Sequence, residues 1–279
     1  MPAVVSSSDV SELRSALRNE ISIRRDAQQE LREQKARVAR LWASLPTDLH
    51  AEFEGSATQN DLGLSNACTF IAATVSLQFV AHGIYPTAAT WDLLLQLGGN
   101  AYQAGPTRAT SLTESLPSVL SVLSLSPSSV HVYPDWRTFV YDVPGGYPQE
   151  LLEVFVPSSS SSAAGGGLLD SKYDLRSVLV PDLNHLTPPL ALILTGHNET
   201  YTVCIGPDAK VSFRDSHVTT QHDFGDIHTF FTWLESNSDV LDPGTVPPGM
   251  SLSADDEMAL YLLEHNRLAI HLILPAPST

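Results

Sequence analysis

The stretch NACTFIAATVSLQFVAHG, residues 66–83, is the most informative part of the sequence because it places a cysteine at the start of an apolar helix. From Cys68 to His82 the chain has no glycine or proline, and its apolar residues surround most of the helix, as in helices buried at the centre of a domain. Gly83 stands where a left-handed glycine commonly ends a helix. We therefore predict a central, buried helix whose first residue is Cys68.

Cys68 is a candidate nucleophile at this position. A thiol reacts as its thiolate, and the positive end of the helix dipole and the unpaired N–H groups of the first turn both stabilise that anion. The same N–H groups can hold the oxyanion that forms when a peptide carbonyl is attacked. The alternative is a core residue, since cysteine is among the most buried residue types. A partner elsewhere in the chain must decide between the two.

The segment SFRDSH, residues 212–217, supplies such a partner. Asp215 and His217 stand two apart at the end of a predicted strand, so their side chains are expected on the same face. Asp215 can then hold the imidazole of His217 in one tautomer while the other ring nitrogen faces Cys68. His217 would take the thiol proton and deliver it to the leaving amine. The alternative is a pair of ordinary turn residues after a strand.

The order of the predicted elements indicates an α+β fold. After the first helix we predict helices over residues 88–97, 112–124, 226–236 and 255–265. We predict strands over residues 130–133, 138–142, 152–156, 189–196, 201–206, 210–215 and 267–274. Residues 47–66 are interpreted as an approach loop, and the low-complexity stretch PSSSSSAAGGG, residues 157–167, as a flexible surface loop. Helices first and antiparallel strands afterwards differ from the alternation of a doubly wound sheet.

Residues 1–46 are predicted to be a helical extension of a catalytic domain at 47–279. Between residues 11 and 44 the chain lacks glycine and proline and is rich in good helix formers. Its apolar residues recur in sevens with gaps, so the seam is too interrupted for a strong coiled coil. The helix either docks or pairs locally, or it is an arm that recruits a partner.

The charge of the chain is unevenly distributed. The net charge is −16, and residues 1–50 carry eight basic and seven acidic side chains, which leaves −17 on the remainder. An acidic body repels phosphate backbones and favours a basic protein surface as partner, so nucleic acid is not an expected ligand. On charge alone, a role of the acidic residues in solubility only remains open.

Cysteine content and hydropathy narrow the class of protein further. Two cysteines, Cys68 and Cys204, are too few for a disulfide framework, and a zinc site needs more clustered Cys and His than the sequence has. We therefore expect no metal, no cofactor and a reducing, cytoplasmic compartment, of the protein's own cell or of a host cell if it is an effector. No apolar run approaches the ~18–20 residues that cross a bilayer, and the start of the chain does not resemble a secretory signal, so no membrane partner is expected.

Two segments together resemble a known family. NACTFIAA, residues 66–73, and LTGHNETYTVCIGPDAKVSFRDSH, residues 194–217, are similar to the ubiquitin-specific protease domain of herpesvirus large tegument proteins and to the non-viral, tegument-like deubiquitinases. These are papain-like cysteine proteases. The resemblance implies a triad of Cys68, Asp215 and His217, on a fold whose helical half carries the cysteine on a central helix against a mostly antiparallel sheet. It implies hydrolysis of the bond after the C-terminal glycine of ubiquitin or a ubiquitin-like protein.

The resemblance covers about residues 55–235 and departs from the family at one point. Phe213 stands one residue further from the aspartate than the family's aromatic residue, with Arg214 inserted between them. The family also takes a polar side chain from the loop before the cysteine for its oxyanion hole. Gln59 is the predicted residue here, and Asn66 is the alternative. Either residue is also a common type in turns.

His197 is an alternative to His217 as the base. It stands at a strand boundary 18 residues before Asp215. Many papain-like enzymes take the histidine from the start of one strand and its aspartate or asparagine from the next, which would pair Asp215 with His197. The resemblance favours His217. Cys204 alternates with its neighbours on a predicted strand and is interpreted as a core residue.

Two other functions remain open from the sequence. An effector-type cysteine protease or acyltransferase would use the same triad on a substrate other than ubiquitin. A catalytically silent binding module would keep the fold and bind a partner through residues 11–44 or through its acidic surface.

Overall fold

The computed structural model describes residues 50–105, 111–143, 145–155, 165–171, 174–196, 199–237, 252–253 and 257–276. All of them belong to a unit, Leu45–Thr279, that is separate from Met1–Ser44. The predicted extension over 1–46, its helix over 11–44, and most of the predicted loop over 157–167 lie outside the described residues. The boundary at residue 46 therefore stays a prediction.

Within these ranges the helices and strands follow one another along the chain. The helices are α1 (Cys68–His82), α2 (Ala88–Ala104), α3 (Leu112–Val122), α4 (Gln149–Phe155), α5 (Asp174–Leu183), α6 (Ile227–Asn237) and α7 (Glu257–His265). The strands are β1 (His50–Glu54), β2 (Val130–Tyr141), β3 (Gly165–Leu169), β4 (Leu190–Gly196), β5 (Glu199–Ile205), β6 (Val211–Asp215), β7 (Thr220–Phe224) and β8 (Arg267–Pro275). None of the described helices has the length and apolarity that crossing a bilayer requires.

The strands form one sheet in the order β1-β7-β6-β5-β4-β8-β2-β3. Each described pair is antiparallel except β2 with β3, which run parallel. The predicted run of three consecutive strands is present as β4, β5 and β6. Cys204 lies between Ala191 and Ser212 in this ladder and is buried, so its interpretation as a core residue is confirmed.

Helix α1 is the centre of the molecule. Every residue from Thr69 to Val80 is buried, because α1 packs on the sheet through β5, β4 and β8 and on helices α2 and α3. Gly83 ends the helix with φ at 62°, and its N–H donates to the carbonyl of Phe79, as predicted. The other face of the sheet is covered by α5 and α6. The predicted α+β class, with a cysteine opening a helix packed on a mostly antiparallel sheet, is confirmed.

Helices α1 and α2 approach closely at a glycine. A Cβ atom on Gly98 would lie 2.6 Å from Cα of Ile71, a backbone atom that cannot give way. The helix predicted over 88–97 therefore does not end before Gly98 and Gly99. They are buried contact points, and α2 runs on to Ala104.

Several predictions about elements were wrong. The approach loop over 47–66 contains β1, whose sequence HAEFE alternates exposed and half-buried residues at the sheet edge. Residues 152–156 were predicted as a strand and lie mostly in α4, where Leu151 and Leu152 pack against Val140 and its buried neighbours. Residues 165–167 belong to β3 and not to a loop. The two predicted strands over 130–142 are one strand, β2, with an irregularity at Asp135, where φ is 48°.

Candidate active site

Cys68 lies at the first residue of α1 and is half-buried. The residue before it, Ala67, is the N-cap, and no described side chain caps the helix there. The first N–H groups of an α-helix have no partner within the helix, and the helix dipole is positive at this end. The sulfur therefore lies beside donors that can stabilise an anion. Cys204, the other thiol, is fully buried, and burial raises its pKa to an extent that makes a thiolate inaccessible.

Asp215 and His217 meet in the turn that follows β6. Oδ1 of Asp215 accepts the backbone N–H of His217 at 2.8 Å and lies 2.6 Å from Nδ1 of the same imidazole. A carboxylate that accepts the N–H two residues on is an Asx-turn. The predicted contact is present, although the reason given for it, a shared face of an extended strand, was wrong. The carboxylate fixes the tautomer with a proton on Nδ1, which leaves Nε2 for another partner.

The thiol of Cys68 and the imidazole of His217 are neighbours, and each shifts the pKa of the other through hydrogen bonding and charge. Burial raises the pKa of the Cys68 thiol. The hydrogen bond and charge of His217 act in the opposite direction, with smaller contributions from the Thr200 side chain and the Thr69 N–H. The net pKa of Cys68 lies below its ordinary value of 9.0.

The pKa of His217 changes in the sense that complements the thiol. Burial lowers the pKa of the imidazole. The hydrogen bonds to Asp215 and Cys68 and the charges of Asp215 and Glu199 raise it by a larger amount, so the net pKa is about 10. A depressed thiol pKa and an elevated imidazole pKa both favour the thiolate–imidazolium form of the pair.

Gln59 is tied to the same turn by two hydrogen bonds. Its backbone N–H donates to the carbonyl of Ser216 at 2.8 Å, and the Ser216 hydroxyl donates to Oε1 at 2.9 Å. Gln59 is 1% exposed. Because Oε1 accepts, the amide Nε2 is the end of the side chain that remains to donate. Asn66, the alternative, is exposed in the turn before α1, and His197, the alternative base, lies outside the described residues.

Gln221 holds the turn and was missed by the sequence analysis. Its Oε1 accepts the N–H of Asp215 at 2.9 Å, and its Nε2 donates to the carbonyls of Asp215 and Val218 at 2.7 and 2.8 Å. All three bonds are made by a fully buried side chain. The turn that carries the aspartate and the histidine is therefore fixed from within the sheet. The sequence contains no signal for this role, because it depends on how β7 pairs with β6.

Two threonines of β5 join the sheet to α1. Oγ1 of Thr200 lies 3.1 Å from Oγ1 of Thr69, and Oγ1 of Thr202 donates to the carbonyl of Ala72 at 3.2 Å. The Thr200 side chain also helps to lower the pKa of the Cys68 thiol. We call this line of contacts between α1 and β5 the helix–sheet seam.

A second carboxylate stands near the imidazole. Glu199 accepts a hydrogen bond from the hydroxyl of Tyr201, the residue paired with Asp215 across β5 and β6. The ring of Tyr201 lies 6.1 Å from that of His217. Burial, the bond to Glu199 and the nearby carboxylates keep the pKa of Tyr201 well above its ordinary value, so its hydroxyl stays protonated.

The inserted Arg214 faces away from this site and explains the unusual spacing. Its side chain is fully buried, donates to the carbonyl of Pro86 at 2.6 Å, and pairs with Asp223 at 2.6 Å. Phe213 points into the opposite core, where it packs against Trp233 at 5.4 Å. The strand thus alternates normally, and the departure from the family pattern leaves Asp215 at the strand end.

Comparisons with known proteins concern the fold only. No family model and no curated protein sequence matches the chain. The chain is similar to the ubiquitin-specific protease encoded by murine cytomegalovirus tegument protein M48, solved with a ubiquitin-based suicide substrate, at 11% identity and a TM-score of 0.44 over 82% of this chain and 88% of that one. It is similar to Pseudomonas avirulence protein AvrPphB at 9% identity and a TM-score of 0.35, over 78% and 96%. Likenesses at this level carry no argument about activity.

Proposed function

We propose that this protein is a cysteine-dependent deubiquitinase that hydrolyses the bond after the C-terminal glycine of ubiquitin or a ubiquitin-like protein. Cys68 is the nucleophile, His217 the general base and acid, and Asp215 the group that orients the imidazole. The observation that carries the proposal is the contact of 2.6 Å between Nδ1 of His217 and Oδ1 of Asp215, on an imidazole that also lowers the pKa of the neighbouring Cys68 thiol. A nucleophile, a base and an orienting group in this order are the arrangement that nucleophilic catalysis requires.

The first half of the reaction is acylation of the enzyme. The thiolate of Cys68 attacks the carbonyl carbon of the terminal glycine, and the carbonyl oxygen becomes an oxyanion. The N–H groups of the first turn of α1 and Nε2 of Gln59 are the donors that stabilise it. The protonated His217 gives its Nε2 proton to the departing amine, and the C–N bond breaks. The products of this half are a free amine and a thioester on Cys68.

The second half releases the acyl group. The now neutral His217 takes a proton from a water molecule, whose oxygen attacks the thioester carbonyl. The same donors stabilise the second oxyanion, the C–S bond breaks, and Cys68 leaves as a thiolate beside the imidazolium. The carboxylate of Asp215 keeps the ring in place through both proton transfers. The sum is one water consumed for each bond broken, with no cofactor.

Ubiquitin as the substrate is supported by two features of the sequence. One is the resemblance of residues 66–73 and 194–217 to tegument-like deubiquitinases. The other is the net charge of −17 outside residues 1–50, which suits a partner whose binding face mixes an apolar patch with basic residues.

The test is covalent labelling by a ubiquitin probe that ends in an electrophile. We expect one probe molecule on Cys68, no labelling of Cys68→Ala, and undiminished labelling of Cys204→Ala, the variant that lacks the other thiol. A small, broadly reactive thiol-protease inhibitor is the parallel reagent. Labelling by the inhibitor but not by ubiquitin or ubiquitin-like probes would instead indicate a protease or acyltransferase for another substrate. A folded protein that neither reagent labels would be a binding module.

A further inference from the structure

Two histidines and a glutamate converge on the edge of the sheet formed by β1 and β7. His50 and Glu52 stand two apart on β1, so their side chains lie on one face of the strand. Glu52 is paired directly with His222 of β7 in the antiparallel ladder. The register of two strands that are far apart in sequence therefore brings three metal-ligating side chains to one point. Within the described residues these three form such a group.

The three donor atoms have the separations that a tetrahedral metal ion imposes. Nε2 of His50 lies 3.1 Å from Nδ1 of His222, and Oε1 of Glu52 lies 3.6 Å from the first and 3.4 Å from the second. Ligands at 2.0–2.2 Å from an ion in tetrahedral geometry lie about 3.3–3.6 Å from each other. The triangle of donors is therefore one face of such a tetrahedron, within about 0.2 Å on each side.

The rings are held in these positions by packing. The imidazole of His50 stacks on Phe224 at 4.7 Å with 9° between the planes. The imidazole of His222 lies 4.4 Å from the ring of Trp233, and its backbone carbonyl accepts a hydrogen bond from the buried Arg214 at 2.6 Å. Ligands fixed before the ion arrives lose little conformational entropy on binding, and supports of this kind typically strengthen metal sites.

We infer that His50, Glu52 and His222 form a binding site for a divalent transition-metal ion of the zinc class, with one coordination position open to water. Two imidazoles and one carboxylate are ligands that Zn²⁺ accepts readily. The sequence gives no sign of the site, because its ligands are not clustered along the chain. The inference is independent of the proposed hydrolysis, since none of the three residues belongs to the series from Cys68 to Asp215.

The ion would fasten two segments that lead to the candidate active site. Strand β1 runs on toward Gln59, and β7 begins just after the turn with Ser216. Between the metal site and this turn, two backbone hydrogen bonds join the segments. The N–H of Gly55 donates to the carbonyl of Thr219 at 2.9 Å, and the N–H of Gln59 donates to the carbonyl of Ser216 at 2.8 Å. A metal bridge across β1 and β7 adds a third link, at the edge of the sheet where β1 has a partner on one side only.

The test is metal binding by the full chain carrying Cys68→Ala and no polyhistidine tag. The substitution removes the thiol, which with His217 would offer a competing site. We expect one equivalent of Zn²⁺ by calorimetry, and visible absorption typical of four-coordinate Co²⁺ when Co²⁺ is the probe. His50→Ala and His222→Ala, each added to this background, should weaken binding by more than about 100-fold, beyond what outer-shell partners contribute.

Two further variants separate loss of metal binding from loss of folding. Glu52→Gln changes an exposed side chain and should weaken binding at least about tenfold with no effect on folding, which protects the test against misfolded histidine variants. His185→Ala, at an exposed turn, is the matched control and should bind as the parent does. At the same Zn²⁺ concentration the Tm of the parent and of the control should rise more than that of Glu52→Gln. The inference is overturned if the parent binds no ion, or if Glu52→Gln and His50→Ala bind it as tightly as the control.

Discussion

At the scale of single residues, the imidazole of His217 is the group on which the site depends. Its Nδ1 contacts the carboxylate of Asp215, which leaves Nε2 as the nitrogen that can interact with the thiol of Cys68. The interaction between His217 and Cys68 raises the pKa of the imidazole and lowers that of the thiol, because each partner stabilises the charged form of the other. The pH dependence of activity therefore reports on the pair and not on either residue alone.

We predict a bell-shaped pH profile for kcat/KM on a ubiquitin substrate. Activity rises as Cys68 loses its proton, below the ordinary thiol pKa of 9.0. Activity falls as His217 loses the proton that it must donate, at a pKa of about 10. Asp215→Asn removes a contact that raises this pKa, so the alkaline limb should move to lower pH. We expect kcat/KM at neutral pH to fall on the order of 10²–10⁴-fold, the range of acid–base contributions. An unchanged alkaline limb in this variant would contradict the assigned role of the carboxylate.

Gln59→Ala should lower kcat by about 10²–10³-fold while KM changes little, because an oxyanion donor acts in the transition state. The matched control is Ser216→Ala, which removes the partner of Oε1 but leaves Nε2 in place. The Ser216→Ala variant should lower kcat much less than Gln59→Ala does. Equal losses in both variants would mean that Gln59 only supports the turn, and steady-state kinetics with a fluorogenic ubiquitin substrate distinguish the two results.

The sequence predicts a residue's role where that role follows from its neighbours along the chain. It does not predict a role that depends on how distant strands pair in the sheet. The sequence indicates Cys68 as a candidate because it opens an apolar helix, and Asp215 and His217 because they follow a strand. Gln221 acts through a ladder partner. The donors contributed by His50 and His222 are 172 residues apart in sequence. Only the register of the sheet brings such groups together.

At the scale of elements, the position of α1 is set by its close contact with α2. Gly98 permits the approach, since a Cβ there would meet Cα of Ile71 at 2.6 Å. Alanine ordinarily stabilises a helix relative to glycine, by up to about 1 kcal/mol. The two effects have opposite signs here, and the backbone clash is the larger.

Gly98→Ala should therefore lower the free energy of unfolding by about 1–3 kcal/mol, the usual cost of overpacking a core. Chemical denaturation measures it. Gly167→Ala is the control, because a Cβ there meets nothing within 4 Å. If Gly98→Ala were more stable than the parent, helix propensity would outweigh packing and the close contact would be wrong.

The elements that the sequence predicted are those with an unambiguous period. Helix α1 and strands β4 and β5, with 15, 7 and 7 residues, are largely apolar and are bounded by turn residues. Strand β1 was missed because HAEFE is an edge strand with charged, exposed positions, which looks like a loop. Helix α4 was read as a strand because a short apolar run fits both periods.

At the scale of the whole molecule, the excess of acidic residues affects encounter with a substrate. A body with a net charge of −17 outside residues 1–50 attracts basic surfaces over a distance that salt shortens, from about 30 Å at 0.01 M to about 10 Å at 0.1 M. Encounter with the proposed protein substrate would be steered by this field, whereas encounter with a small neutral reagent would not.

We therefore predict that labelling by a ubiquitin probe slows several-fold as salt rises from 0.01 to about 0.2 M. Labelling of Cys68 by a small uncharged thiol reagent, measured under the same conditions, should stay nearly constant. Equal slowing of both reactions would mean that salt acts on the thiol pair itself and that charge plays no part in recognising the substrate.

The helix–sheet seam has a further consequence. His217, Asp215 and Gln59 are all held by one turn of the sheet, whereas the sulfur of Cys68 lies on a helix of the other layer. The two halves meet along the bonds of Thr200 and Thr202. Sliding one layer past the other would separate the reacting atoms while every catalytic side chain kept its own neighbours. Inactive variants of this protein should therefore include some whose altered residues lie along that boundary, remote from any reacting atom.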